Sequence, residues 1–244
     1  MRTMDTSLTA STLTRTLPLQ IAERIGALII EEKLRPAERL KEVVFAKSFG
    51  VSRATVREAL RILEQRNLVS IVPQRGAQVT KLSRRELEDL FEIRAVLLGL
   101  VSRRVALNYS PEVKRTLYAG YSKLQAAKND AAAYARASAD LVAVFTHLCG
   151  NQQLTDYIAD FALRIGRYTR LGLSQPQRRK QSLANWARLL RAIAARDAEL
   201  AETLHRRLST QNLVAALAEL ERRERSERAS LARENRTTLV PVKK

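Results

Sequence analysis

Apolar residues recur at spacings of three and four from Leu17 onward. Leu19, Ala22, Ile25, Ile29 and Ile30 share one face and predict a helix that Pro36 ends. Leu40, Val43, Val44 and Ala46 predict a short second helix, stopped at Gly50. Ser52 is placed to cap a third, with Val56, Ala59, Leu60 and Leu63 on its inward side and an end near Asn67. The period then changes. Leu68 to Val72 is short and rich in β-branched residues, Pro73-Gln74-Arg75-Gly76 reads as a turn, and Ala77 to Thr80 reads as a return strand. This predicts a two-stranded ribbon with Gly76 at its tip.

Beyond Lys81 every segment reads as helical. Ser83 with Glu86 fits a capping box, and Leu87, Leu90, Phe91, Arg94, Leu97, Leu98 and Val101 mark one face of a long helix. Ser110-Pro111 opens the next helix, Asp130 caps another through Leu141, Val144 and Phe145, and Gly150-Asn151 separates it from a helix marked by Leu154, Ile158, Phe161 and Ile165. Residues 172–182 read as a polar break. Two further helices run through Trp186, Leu190 and Ile193, and through Leu200, Leu204 and Leu208. The expected organisation is an N-terminal arm (1–16), a winged helix-turn-helix domain (17–81), an all-helical bundle (82–222) and a charged tail (223–244). Residues 221–236 read either as a solvated helix end or as tail. The fold class is therefore mainly α.

Composition narrows the function. With 45% hydrophobic residues in 244, the chain can build one or two real cores. A net charge of +18 points to a polyanionic partner, nucleic acid ahead of a membrane surface. Aromatics at 5% disfavour a stacking platform for single strands. The single cysteine, Cys149, excludes an intramolecular disulfide and a multi-cysteine zinc site. No paired carboxylates, nucleophile–histidine arrangement or phosphate loop is present, so the chain is not expected to be an enzyme. No run of 18 apolar residues and no signal-peptide core in residues 1–16 place it in a reducing cytoplasm, off the membrane. The charge itself is dispersed: net +5 in residues 17–83, +8 in 84–220 and +4 in 221–244.

Gly50-Val51-Ser52-Arg53-Ala54-Thr55-Val56-Arg57-Glu58-Ala59-Leu60 resembles the recognition element of GntR-family transcription regulators. Pro36-Ala37-Glu38-Arg39-Leu40 stands where that family usually has Pro-Gly-x-x-Leu, and Asn67-Leu68-Val69 and the Arg75-Gly76 wing follow in order. A helix fits the major groove with its first side chains at base edges. Ser52, Arg53, Thr55 and Arg57 occupy that first turn and a half, and arginine is the commonest bidentate reader of guanine. Gly76 lets the wing backbone approach DNA closely, and Arg75 suits a phosphate or the minor groove. Arg39 either contacts DNA or pairs with Glu42. Fatty-acid-responsive relatives often carry a DNA-contacting arginine at the position of Val43, so the operator sequence does not carry over.

The helical remainder resembles the FCD (FadR-like) effector domain of the same family, through Glu92 to Leu100, Gly150-Asn151 and Ala192 to Ala198. Many such domains hold a divalent metal on one Asp and three His. Those positions fall here at Ser138, Val142, Trp186 and Leu208, so no metal or other cofactor of the usual kind is expected. A shifted site on Asp140, His147 and His205 is the alternative. The expected pocket is apolar, lined by Val142, Phe145, Trp186 and Leu208, with hydroxyls from Tyr134 and Ser138. Arg94 either binds a small organic acid or pairs with an internal carboxylate, and Trp186 is either pocket wall or core.

The resemblance thus implies a homodimer on an inverted-repeat operator, a double-stranded DNA partner, and a small-acid effector that changes affinity for DNA, commonly as a repressor. The alternative is a nonspecific, charge-driven or architectural DNA-binding protein whose helical domain is closed and only dimerises.

Overall fold

A computed structural model describes residues 16–72 and 74–238. The chain divides into two compact units at Lys81/Leu82.

The first unit runs α1 (Leu17–Ile30), β1 (Arg39–Leu40), α2 (Glu42–Phe49), α3 (Arg53–Gln65), β2 (Val69–Val72) and β3 (Gly76–Val79). Ile21, Ile25 and Ile29 of α1 and Val56, Leu60 and Leu63 of α3 are buried where the two helices pack together, each side chain of this size contributing about 1.5–3 kcal/mol by burial. Three expectations change. α1 ends at Ile30, where Glu32 takes a left-handed φ of 60°, well before Pro36. Leu40 is buried as an apolar position should be, but in a strand: β1 pairs antiparallel with β3, Leu40 opposite Ala77, so the wing is part of a three-stranded sheet in the order β1-β3-β2. Val43 and Val44 lie in a second short helix as expected, and are exposed on α2. The ribbon tip lies at Gln74 and Arg75. Gly76, at φ 80°, is the first residue of β3 and pairs with Val72.

The turn that feeds β1 holds Ala37 at φ 62°, with its amide donating to Val79 O at 2.9 Å. Here an alanine occupies the left-handed conformation that favours glycine.

The second unit is helical throughout: α4 (Arg84–Leu107), α5 (Pro111–Ala126), α6 (Ala131–Leu148), α7 (Gln152–Gly172), α8 (Pro176–Ala194) and α9 (Ala198–Thr238). Its starts follow the capping chemistry of the sequence. Ser83 and Glu86 make both halves of a capping box, Ser110 caps Val113, Asp130 accepts from Ala132 and Ala133, and Asn151 accepts from Leu154. The polar break shrinks to Leu173–Gln175, because Pro176 opens α8 and the residues after it are helical. Residues 223–238 continue α9, exposed at 224–226 and 228–230, so only residues 239–244 of the expected tail lie outside the described residues. The expected arm also lies outside them, apart from Thr16, the N-cap position of α1.

One buried core joins α4, α5, α6, α8 and α9 through Leu98, Val105, Leu117, Phe145, Leu189 and Leu204. Gly172 matters for the geometry on α7. A Cβ there would stand 2.6 Å from Asn212 O, so glycine allows α7 and α9 to approach at the level of the cavity described below.

Candidate functional site

The exposed end of α3 carries the first site. Ser52 accepts the Thr55 amide at 3.1 Å, and the two hydroxyls bond each other at 2.8 Å. Both expected readers are thus engaged in capping the helix, which fixes its start and leaves first-turn amides facing outward. Arg53 and Arg57 are exposed, one turn apart. Arg57 holds Glu42 of α2 with two parallel bonds, Nε to Oε1 and Nη2 to Oε2, each 2.9 Å, and Arg53 Nη2 lies 3.6 Å from the same carboxylate. The Arg57 bonds hold the Glu42 carboxyl below its ordinary range. Glu42 therefore pairs with the α3 arginines and not with Arg39, which is exposed on β1 opposite Gln78. Arg75 and Gly76 are exposed at the ribbon turn. Arg61 continues the Arg53–Arg57 row by another turn and was missed. A spacing of four was its signal.

The second site is a small cavity inside the bundle, of about 30 Å³. It gathers Arg94 and Leu98 from α4, Ser138 and Val142 from α6, Thr169 from α7, Leu173 after it, Arg178, Ser182 and Trp186 from α8, and His205, Leu208, Ser209 and Asn212 from α9. Five of the seven expected pocket residues are among them. Tyr134 and Phe145 are not: both are fully buried in the core. Phe145 packs its ring on Trp186 and His205, both at 5.4 Å, and burial lifts the Tyr134 phenol to about 12. Periodicity gave the right face for these two but not the depth. Trp186 is both wall and core, with its indole packed on His205 at 5.2 Å.

Arg94 donates to Ser209 Oγ at 3.3 Å, and among the described residues no carboxylate pairs with it. Desolvation lowers its guanidinium to about 10, which still leaves it charged at neutral pH. His205 bonds Ser102 through Nδ1, and burial, with the charge of Arg94 second, lowers it to about 3, so the ring is neutral.

The four positions at which the resemblance placed metal ligands all line this cavity, but a hydroxyl, an isopropyl, an indole N–H and an isobutyl do not fit a divalent ion. The alternative trio does not assemble either. Asp140 and His147 are exposed, while His205 is buried.

The residues that sequence reasoning missed include Arg178, Ser182 and His205. The sequence puts Arg178 and Ser182 in the polar break, with Arg178, Arg179 and Lys180 as a basic cluster that draws in an anionic effector rather than as cavity lining. Their signal was a spacing of four and eight back from Trp186 along one helix face.

Comparison with known proteins agrees with this division. Residues 17–79 match the bacterial regulatory proteins of the gntR family, and residues 89–211 match the FCD domain. An HTH-type transcriptional regulator of Bacillus subtilis, YdhC, is 35% identical over 79 residues, covering 32% of this chain and 35% of its own. The Escherichia coli HTH-type transcriptional repressor GlaR is 34% identical over 79 residues, covering 32% and 36%. The matched stretch thus spans little more than a third of these two relatives' lengths. The solved structure of E. coli McbR/YncC superposes with a TM-score of 0.74 at 23% identity, over 85% of this chain and all of that one, and so shares the fold.

Proposed function

Because the chain belongs to the gntR family of bacterial regulatory proteins, carries an FCD domain and is a transcriptional regulator rather than an enzyme, we propose that it binds an inverted-repeat operator as a homodimer, in the cytoplasm, and represses until a small organic acid enters the bundle. The observation that carries the effector half is Arg94: a charged, desolvated guanidinium in a cavity, with one long bond to a neutral hydroxyl. A buried cation of this kind calls for an anion, and a carboxylate matches its two-pronged geometry. The pocket works without a metal, since the residues at the family's ligand positions do not fit one. Repression is supported by the likeness to GlaR.

Three features support the rest. Arg53, Arg57 and Arg61 form an exposed row on α3, and Arg75 stands at the ribbon turn; these read DNA, with Arg39, Gly76 and the capped Ser52–Thr55 start fixing register on phosphates. Ile93, Val96 and Leu100 form an exposed apolar stripe on α4 at spacings of three and four. A second copy of this chain covers it, because two half-sites need two recognition helices. Finally, Tyr168 OH accepts the Leu82 amide at 3.1 Å, next in sequence to the cavity residue Thr169. Leu82 directly follows the first unit, so an acid that moves α7 alters the point from which the DNA-reading unit is held.

Selection of duplexes from a random pool by the full chain, followed by gel-shift titration with and without acids, tests this reading. Enrichment of an inverted repeat, released by a carboxylate but not by its amide, is the expected result. Tyr168→Phe keeps acid binding and loses most of the release. A pool with no enriched sequence overturns operator recognition, and an operator whose affinity no acid changes overturns the effector half.

A further inference from the structure

Arg178 and Arg179 are neighbours in the first turn of α8 and are equally buried, at 7% and 5% exposed. Their surroundings differ completely. Arg179 donates to three backbone carbonyls, Lys128 O at 2.9 Å, Leu173 O at 3.1 Å and Ser174 O at 2.6 Å, and so ties the entry of α8 to two loops. Arg178 lines the cavity, and none of its three nitrogens has a hydrogen-bond partner among the described residues. A structural role accounts for Arg179. It does not account for Arg178, because burying a guanidinium with no acceptor opposes folding.

The cavity therefore holds two guanidiniums from different helices, Arg94 on α4 and Arg178 on α8, with no carboxylate of the described chain paired to either. A single carboxylate would leave one of the two charges unbalanced in an enclosed space, whereas a dianion balances both. The Trp186 indole N–H, also without a partner, adds a donor. Leu98, Val142 and Leu208 offer apolar contact to a short carbon chain, and because the cavity is about 30 Å³ as it stands, the side chains must part to admit the molecule, which favours a compact one. We infer that the effector is a compact aliphatic dicarboxylate, with one acid group on Arg94 and the other on Arg178. The inference rests on the reading of the bundle as an acid-binding effector domain and goes beyond it by naming a second anchor and the ligand's charge.

The test uses the full chain and matched pairs of probes: malonate and propionate, succinate and butyrate, glutarate and valerate, at equal ionic strength, read by calorimetry and thermal shift. At least one dicarboxylate binds about tenfold or more tighter than its matched monocarboxylate, as a charged hydrogen-bonded pair implies. Arg178→Met brings that ratio close to one while leaving the monocarboxylate affinity nearly unchanged, and Arg94→Gln weakens both acids. Without ligand, Arg178→Met melts at the same or a higher temperature than the parent, since it removes a buried charge with no partner. Equal binding of mono- and dicarboxylates in the parent, or a ligand-free melting point that falls in Arg178→Met, overturns the second anchor and leaves acid binding on Arg94 standing. Failure of all six probes to bind overturns both.

Discussion

Arg57 in the first unit lies in solvent and clasps a carboxylate with both arms of its guanidinium, whereas Arg178 in the second unit is enclosed and bonded to nothing among the described residues. The contrast holds more widely. Around α3 the arginines are exposed and a glutamate from the neighbouring helix orders two of them. Around the bundle cavity the arginines are desolvated, and the groups near them are hydroxyls, aliphatic side chains and a neutral histidine. An exposed cation has water as its partner and can wait for a large polyanion at little cost. An enclosed cation opposes folding until something small enough to enter neutralises it. The two units are thus suited to anions of different size.

The largest expected effect tests whether the cavity is as dry as Arg94 and Arg178 require. His205 sits there with its folded value lowered to about 3 from an ordinary 6.5. A histidine with a depressed value takes up its proton in the unfolded chain first. Stability is therefore lost as pH falls below about 6.5, at up to about 1.4 kcal/mol per pH unit, until the folded value is reached. Glu219, held near 2 by Arg222, Gln175 and Arg223, adds its own loss only below about 4.5. Melting curves between pH 6.5 and 4.5 isolate the histidine. His205→Gln, which keeps a polar partner for Ser102, flattens that slope, and equal slopes in variant and parent would mean that the cavity is wet.

Arg53→Ala comes next, and it acts on the other side of the comparison. Loss of one base-reading or phosphate contact weakens operator binding by about 1–3 kcal/mol, a factor of roughly 5 to 150, with the melting temperature unchanged because the side chain is exposed. Gel shifts at fixed salt measure it. A change in stability without a change in affinity would place Arg53 among structural residues.

The same contrast explains which parts were legible in the sequence. Helix starts were, because Ser83, Ser110, Asp130 and Asn151 announce themselves by the oxygen they lend to a backbone amide. Arg53 and Arg57 at the exposed start of α3 were, because they follow a short, local motif, whereas Arg61 lies beyond it. β1 was not: a two-residue strand exists only through its partner, 37 to 39 residues further along the chain, and nothing local to Arg39–Leu40 marks it. Nor was the polar half of the cavity. Burial is inferred from apolar residues, and Arg178 and Ser182 are buried although polar. Trp186, read as inward, already fixed the face on which both lie.

A smaller effect separates scaffold from site within the first unit. Ala37 holds a left-handed φ of 62° in the turn before β1. Glycine removes the Cβ strain of about 1–2 kcal/mol but loses more freedom on folding, by roughly 0.4–1 kcal/mol. Ala37→Gly is therefore expected to stabilise the first unit by about 0.5–1 kcal/mol, seen as a higher first transition in denaturant, with DNA affinity and the second unit unchanged.

The smallest effect is the sharpest probe of what Glu42 does. As an exposed pair, the Glu42–Arg57 bridge adds little to stability, so Glu42→Gln shifts melting by no more than a few degrees. Its effect on DNA is opposite in sign to that of an arginine deletion. The carboxylate holds Arg57 with two bonds and draws Arg53 toward it, partly cancelling two positive charges at the end of α3. With an amide in its place, both guanidiniums face an approaching phosphate uncompensated. Binding to random duplex tightens, and the slope of log K against log salt steepens by about one. Discrimination between operator and random duplex narrows, because the gain is electrostatic and carries no sequence information. An unchanged salt slope would show that Glu42 merely aligns the two arginines and does not compete with DNA for them.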